Sequence, residues 1–140
     1  MKRQGLTILA LALALTTSLA WAQWDGQSIT ADVPFAYTAG AKAMPAGPTI
    51  VRVANLGGGA LWIGNQETKS GTFLMAQPTV SSHPSSRTVL VFHKYGDRYF
   101  FSRVERDGSS TGYRMRESKI ERELRAQNAR ETEEVRLAAK

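Results

Sequence analysis

From Ile29 onward the hydrophobic positions fall on a period of two. Ile29, Ala31, Val33, Phe35 and Tyr37 alternate with Thr30, Asp32, Pro34 and Ala36, the spacing that gives a strand one buried face. Pro34 has no amide to donate, which assigns this strand to a sheet edge. Gly40 to Pro48 is turn chemistry, and Thr49 to Leu56 is the next β-rich run. Gly57-Gly58-Gly59 breaks it, Ala60 to Ile63 resumes as a short apolar strand, and Gly64-Asn65-Gln66-Glu67 turns again. Thr72 to Ala76 reads as a strand, and Pro78 to Ser86 as a polar loop around His83-Pro84.

The sharpest local pattern follows. Val89 to His93 and Tyr99 to Val104 flank Tyr95-Gly96-Asp97-Arg98, and a two-residue Gly-Asp loop favours a type II′ hairpin with Gly at positive φ. That turn sets the register: His93 faces Phe100, Phe92 faces Phe101, and Lys94 faces Tyr99. One face then carries Val89, Val91, His93, Phe100 and Val104. The other carries Leu90, Phe92 and Phe101, with Lys94, Tyr99 and Arg103 toward its edges. Both faces are apolar enough to need cover. Lys94 beside Tyr99 is placed for a cation–π contact.

Helical signals are confined to the end. Ser118-Lys119-Ile120-Glu121 is a capping box, Glu121 and Arg125 form an i,i+4 pair, and Ile120 with Leu124 makes a short apolar face. Gln127, Asn128 and Glu131 then stand where that stripe would continue. The expectation is a helix docked by its first two turns, followed by a solvated helix or frayed tail. Between Ile29 and Val104 lie 25 large apolar side chains, enough for one core. The predicted fold is mainly β: a single antiparallel β-sandwich or small barrel of about six to eight strands with a C-terminal α-helix. Residues 23–116 form the β domain and 117–140 the helical segment.

The chain's first 22 residues read differently. Lys2 and Arg3 precede the uncharged run Leu6 to Leu15, and Ala20-Trp21-Ala22 supplies an A-x-A cleavage site, the layout of a secretory signal peptide over 1–22. The apolar run falls short of the ~20 residues a membrane span needs. The chain has no cysteine, which excludes a lipidated leader, disulfides, thiolate metal sites and a cysteine nucleophile. The expected product is exported, periplasmic or secreted, and has no integral membrane segment after processing.

Charge narrows the partner. Removing Lys2 and Arg3 from the 18 basic residues leaves 16 against 12 acidic, a net +4. Residues 117–140 are neutral, so the excess lies upstream. Arg98, Arg103, Arg106, Arg114 and Arg116 crowd its last part, opposed there by Glu105 and Asp107. They form a candidate anion-binding patch, with solvated strand-edge arginines as the plainer reading. Export argues against nucleic acid and leaves an anionic envelope polymer or another envelope protein.

Catalytic patterns fail on inspection. His83 and His93 are the two histidines, and neither belongs to an HExxH or zinc-finger spacing. His93 reads as a half-buried polar residue bonded to backbone or a neighbouring side chain, and His83 as exposed. Gly108-Ser109-Ser110-Thr111-Gly112 matches G-x-S-x-G, but a nucleophile elbow needs a strand entering and a helix leaving. The flanks here read as two strands. Trp24, Trp62, Tyr37, Tyr95 and Tyr99 read as core and cross-strand aromatics. No catalytic residue, metal ligand or cofactor motif is assigned.

Val33-Pro34-Phe35, Met44-Pro45-Ala46-Gly47 and the block Leu90 to Phe101 together resemble a family of uncharacterised small exported proteins of Acidobacteria-type soil bacteria. Its pattern is VPF, (L/M)PAG, LVFHxYGDxYF and a Lys/Glu-rich C-terminal helix, and it covers about Asp32 to Leu124. Pro48-Thr49-Ile50 departs from the family's aromatic-containing start of the strand after PAG, and Met44 stands where Leu is commoner. The resemblance implies export and a β fold, and it carries over no catalytic residue. The expected function is a non-enzymatic binding or cell-envelope-associated β domain. A lipocalin-like small-ligand binder and a small hydrolase built on a histidine, a serine and a carboxylate are the alternatives.

Overall fold

The computed structural model describes residues 28–54, 59–127 and 132–140. The predicted leader, Trp24, Leu56 and the Gly57-Gly58 pair lie outside the described residues. Ten strands and one helix follow in the order β1 (Ser28–Val33), β2 (Tyr37–Ala39), β3 (Lys42–Met44), β4 (Gly47–Ala54), β5 (Ala60–Asn65), β6 (Gly71–Val80), β7 (Val89–Tyr95), β8 (Arg98–Glu105), β9 (Thr111–Met115), α1 (Lys119–Gln127) and β10 (Thr132–Ala138).

Neighbouring strands run antiparallel from β1 through β4, β5, β6, β9, β8 and β7 to β10. The short β2–β3 hairpin attaches to β8 by a parallel pairing at Thr38 and Phe100. Strand β6 turns the corner: Gly71 to Met75 pairs with β5, and Ala76 to Val80 pairs with β9. The sheet thereby folds over itself, and side chains from both halves meet in one cluster. Val51, Leu61, Ile63 and Leu74 come from one half, and Leu90, Phe92, Phe101, Val104 and Met115 from the other. Among the described residues no ladder closes the sheet into a barrel. Its ends meet at a single point, where Thr30 and Lys140 exchange backbone hydrogen bonds of 2.8 and 2.9 Å. The mainly β, sandwich-like expectation stands.

Alternation works as read in β1, where Ile29, Ala31 and Val33 are buried and Ser28, Thr30 and Asp32 are exposed. This strand has one ladder neighbour, β4, and Pro34 lies just past its end. At the β5–β6 turn the buried Asn65 accepts the amides of Glu67 and Thr68 at 2.9 and 3.0 Å and donates to Ala46 O at 3.3 Å, an Asx-type anchor. The predicted polar loop is shorter than expected, because β6 continues through Pro78, which pairs with Tyr113.

The β7–β8 hairpin has the predicted register: Phe92 with Phe101, His93 with Phe100, Lys94 with Tyr99. Gly96 has φ 59° and Asp97 a negative φ, as a type II′ turn requires. Lys94 Nζ lies 5.8 Å from the Tyr99 ring centroid. Beyond Phe101 the pairing shifts at a β-bulge, so Val91 faces Arg103 and Leu90 faces Val104. Ser102 is the extra residue. A bulge reverses the faces on its far side, which corrects the period-two reading: Val104 joins Leu90 and Phe92 in the core, and Arg103 moves to the His93 side.

The C-terminus departs furthest from expectation. Helix α1 starts where predicted, with the Glu121 amide donating to Ser118 Oγ at 3.1 Å. Ile120, however, is 45% exposed, and the helix's buried residue is Glu121. The chain then forms strand β10 rather than a helix or frayed tail, pairing with β7 from Thr132 opposite Tyr95 to Ala138 opposite Val89. Without β10 the backbone of β7 would be an open edge. Val135, Leu137 and Ala139 pack on the core as they cover it. No helix among the described residues is long and apolar enough to cross a membrane.

Candidate functional site

The end of β6, the loop after it, the β8–β9 loop, β9 and Glu134 of β10 enclose a groove of about 430 Å³. Three of the five predicted patch residues, Arg103, Arg106 and Arg114, line it together. Arg98 lies at the far end of β8, its guanidinium 5.4 Å from the Phe100 ring centroid. Arg116 lines a separate surface cavity beside Phe73 and Met75. The patch read from sequence density is therefore split between three places.

Six hydroxyl side chains, from Thr79, Ser81, Ser85, Ser109, Ser110 and Thr111, line the same groove. The two loops that carry most of them are stitched by main chain: Ser81 N donates to Ser110 O at 2.8 Å, and Gly108 N to Ser85 O at 2.9 Å. His83 is exposed, lines the groove and has its Nδ1 3.0 Å from Ser82 Oγ. The Gly108 to Gly112 motif is thus a hairpin tip between β8 and β9. No helix leaves it, so Ser110 stands on no nucleophile elbow.

Arg103 is the fixed member of the groove. It grips Glu134 with both terminal nitrogens, at 2.6 and 3.1 Å, and Glu105 through Nε at 3.0 Å. Arg136 binds the same Glu105 carboxylate. The bond to Glu134 raises the Arg103 pKa further, against burial. Burial pushes the Glu105 carboxyl up, but hydrogen bonds from Arg136 and Arg103 outweigh it and hold Glu105 below the usual range. Glu134 is held low chiefly by its bond from Arg103. Arg114, directly opposite Arg103 across the β8–β9 ladder, is exposed, and its guanidinium has no hydrogen bond or ion pair among the described residues. Because Glu134 and Glu105 already meet the Arg103 charge, the guanidinium left unpaired on this ladder pair is that of Arg114.

The second polar cluster centres on His93. Its Nδ1 lies 3.0 Å from Glu121 Oε1, and its Nε2 lies 3.1 Å from Ser102 Oγ and 3.9 Å from Glu134 Oε1. Tyr95 donates its hydroxyl to the same Glu121 oxygen at 3.2 Å. Both ring nitrogens of His93 are thus engaged by side-chain oxygens. Burial, then the charge and hydrogen bond of Glu121, push the Tyr95 pKa up to about 12. The expectation of a half-buried, side-chain-bonded His93 holds, with a side chain 20% exposed.

Serine, imidazole and carboxylate are here linked in the order of a nucleophilic relay. Ser102, however, is 6% exposed, sits at a bulge in a central strand, and does not line the groove. Acyl transfer needs a reachable oxygen and donors around the developing oxyanion. Sequence reading missed Ser102 and Glu121 because one lies beyond a bulge and the other reads as a capping residue. Glu134 lies in the segment whose pattern predicts a solvated helix or frayed tail and which forms β10. Comparison with models of known protein families, with curated proteins and with solved structures finds no match.

Proposed function

We propose that this protein is an exported, non-enzymatic binding domain of the cell envelope whose groove takes an anionic, hydroxyl-rich polymer. The observation that carries this reading is Arg114 facing Arg103 across the β8–β9 ladder, on the wall of a groove lined by six hydroxyls. Arg103, locked by Glu134 and Glu105, is preorganised, and Arg114 supplies charge that no described side chain neutralises. Arginine's planar fork suits carboxylates and phosphates, while serine, threonine and glutamate side chains suit sugar hydroxyls. The Lys2-Arg3 head, the Leu6 to Leu15 run and the Ala20-Trp21-Ala22 site support export.

A lipocalin-like site would need a hollow closed barrel. Here the sheet stays open, and Phe92, Leu61, Ile63 and Met44, each at most 2% exposed, fill the space between its halves. The test of the binding reading is calorimetry of the processed protein with polygalacturonate, and with neutral dextran as control. Binding of the charged polymer is expected, weakening as salt rises, and Arg114→Ala should weaken it about tenfold. Equal affinity for dextran, or no binding at low salt, would overturn the proposal.

A further inference from the structure

The cluster around His93 has a second capacity, distinct from the groove. We propose that His93, Glu117 and Glu121 form a binding site for a first-row divalent cation, of which zinc is the probe. One donor atom from each of the three lies within 4.8 Å of the other two. They come from different parts of the chain: His93 from β7, Glu121 from the first turn of α1, and Glu117 from the residues entering that helix. Around a tetrahedral zinc ion with bonds of about 2.0–2.2 Å, donor atoms sit closer than 4.8 Å. Glu117, with a side chain 27% exposed and tied on its outer side to Arg125, is the member that moves inward; Glu121, at 6%, is fixed.

Spare coordinating capacity is present. Glu121 Oε1 takes the bonds from His93 and Tyr95, and Glu117 Oε1 takes the bond from Arg125 at 2.6 Å. The second oxygen of each carboxylate takes no hydrogen bond among the described residues. The far side of the ring is prepared as well. When a metal takes the Nδ1 lone pair, the ring proton resides on Nε2, where Ser102 Oγ at 3.1 Å accepts it. An outer partner of that kind fixes the tautomer and orientation of metal-bound histidines. The donor set, one nitrogen and two oxygens with a phenol alongside, suits zinc, manganese or cobalt rather than a soft cation.

The experiment is zinc titration by calorimetry on the chelator-treated processed protein, alongside the visible spectrum of the cobalt complex. One zinc per chain is expected, with cobalt bands of a low-symmetry site. Glu117→Gln, a change at a half-exposed residue, should keep the fold by circular dichroism and lower zinc affinity at least about tenfold. His83→Ala should leave binding unchanged. No zinc binding by the wild type, equal binding by Glu117→Gln, or loss of binding in His83→Ala would each overturn the assignment.

Discussion

The buried carboxylate of Glu121, carried in on the first turn of α1, sits 3.0 Å from Nδ1 of His93 in the middle of β7. This polar contact, rather than an apolar stripe, docks the helix on the sheet. Ile120, its would-be apolar anchor, stays largely in solvent. Glu121→Ala would leave the imidazole Nδ1 and the Tyr95 hydroxyl without their partner, at a cost of about 2 kcal/mol or more. Urea denaturation should record it as a lower midpoint, while Ile120→Ala stays within about 0.5 kcal/mol. Equal effects would reverse the assignment of the docking residue.

Acid should weaken the Arg136–Glu105–Arg103–Glu134 chain. Both carboxyls are held below their ordinary values in the folded state. A depressed carboxyl contributes stability that is present above the unfolded value, about 4.3 for glutamate, and lost as pH falls through the folded one. The urea midpoint should therefore be level from pH 7 to 5 and fall below that. Arg103→Ala, which removes the shared partner, should give a shallower fall over the same range.

Tyr37 is a different kind of polar group. Its hydroxyl is buried without a hydrogen-bond partner among the described residues, and burial raises its pKa. The Thr49 hydroxyl offsets that rise in part, yet its approach falls short of a hydrogen bond. Tyr37→Phe should be neutral or stabilising by up to about 1 kcal/mol, because no bond is lost and an unsatisfied group is removed. A loss above about 1 kcal/mol in thermal or urea unfolding would show that the hydroxyl is satisfied.

Two glycines separate backbone from packing effects. Gly96 has φ 59°, and an added Cβ there meets nothing within 4 Å. Gly96→Ala should thus cost about 1 kcal/mol through backbone strain alone. At Gly64 an added Cβ would come within 2.1 Å of the Trp62 ring, which lies across it. Gly64→Ala should displace that indole and change the tryptophan emission, whereas Gly96→Ala should not.

The hairpin was legible to the residue, because the Gly96-Asp97 loop dictates the pairing of His93 with Phe100 by itself. Its outer half was not. The register shift at Ser102 is visible only in the β7–β8 pairing, and no local residue type announces it. Strand β10 left a trace in the alternation of Val135 and Leu137 with Glu134 and Arg136. The absence of Gly and Pro and the strong start at Ser118 outweighed it, because only the open edge of β7 makes a strand the better choice. The groove shows the same division. Arginine density placed Arg103, Arg106 and Arg114 correctly as a group, but Arg98 and Arg116 are near them in sequence only. Glu134, which fixes Arg103, arrives from 31 residues away.

The groove itself is tested most directly by amide chemical shifts of the isotope-labelled processed protein during titration with oligogalacturonate at low salt. Shifts should concentrate at Arg103, Arg106, Ser109 to Thr111 and Arg114, and in Arg114→Ala they should need about tenfold more oligosaccharide to develop. Shifts gathered instead around Phe73 and Met75, or none at saturating oligosaccharide, would contradict the binding account.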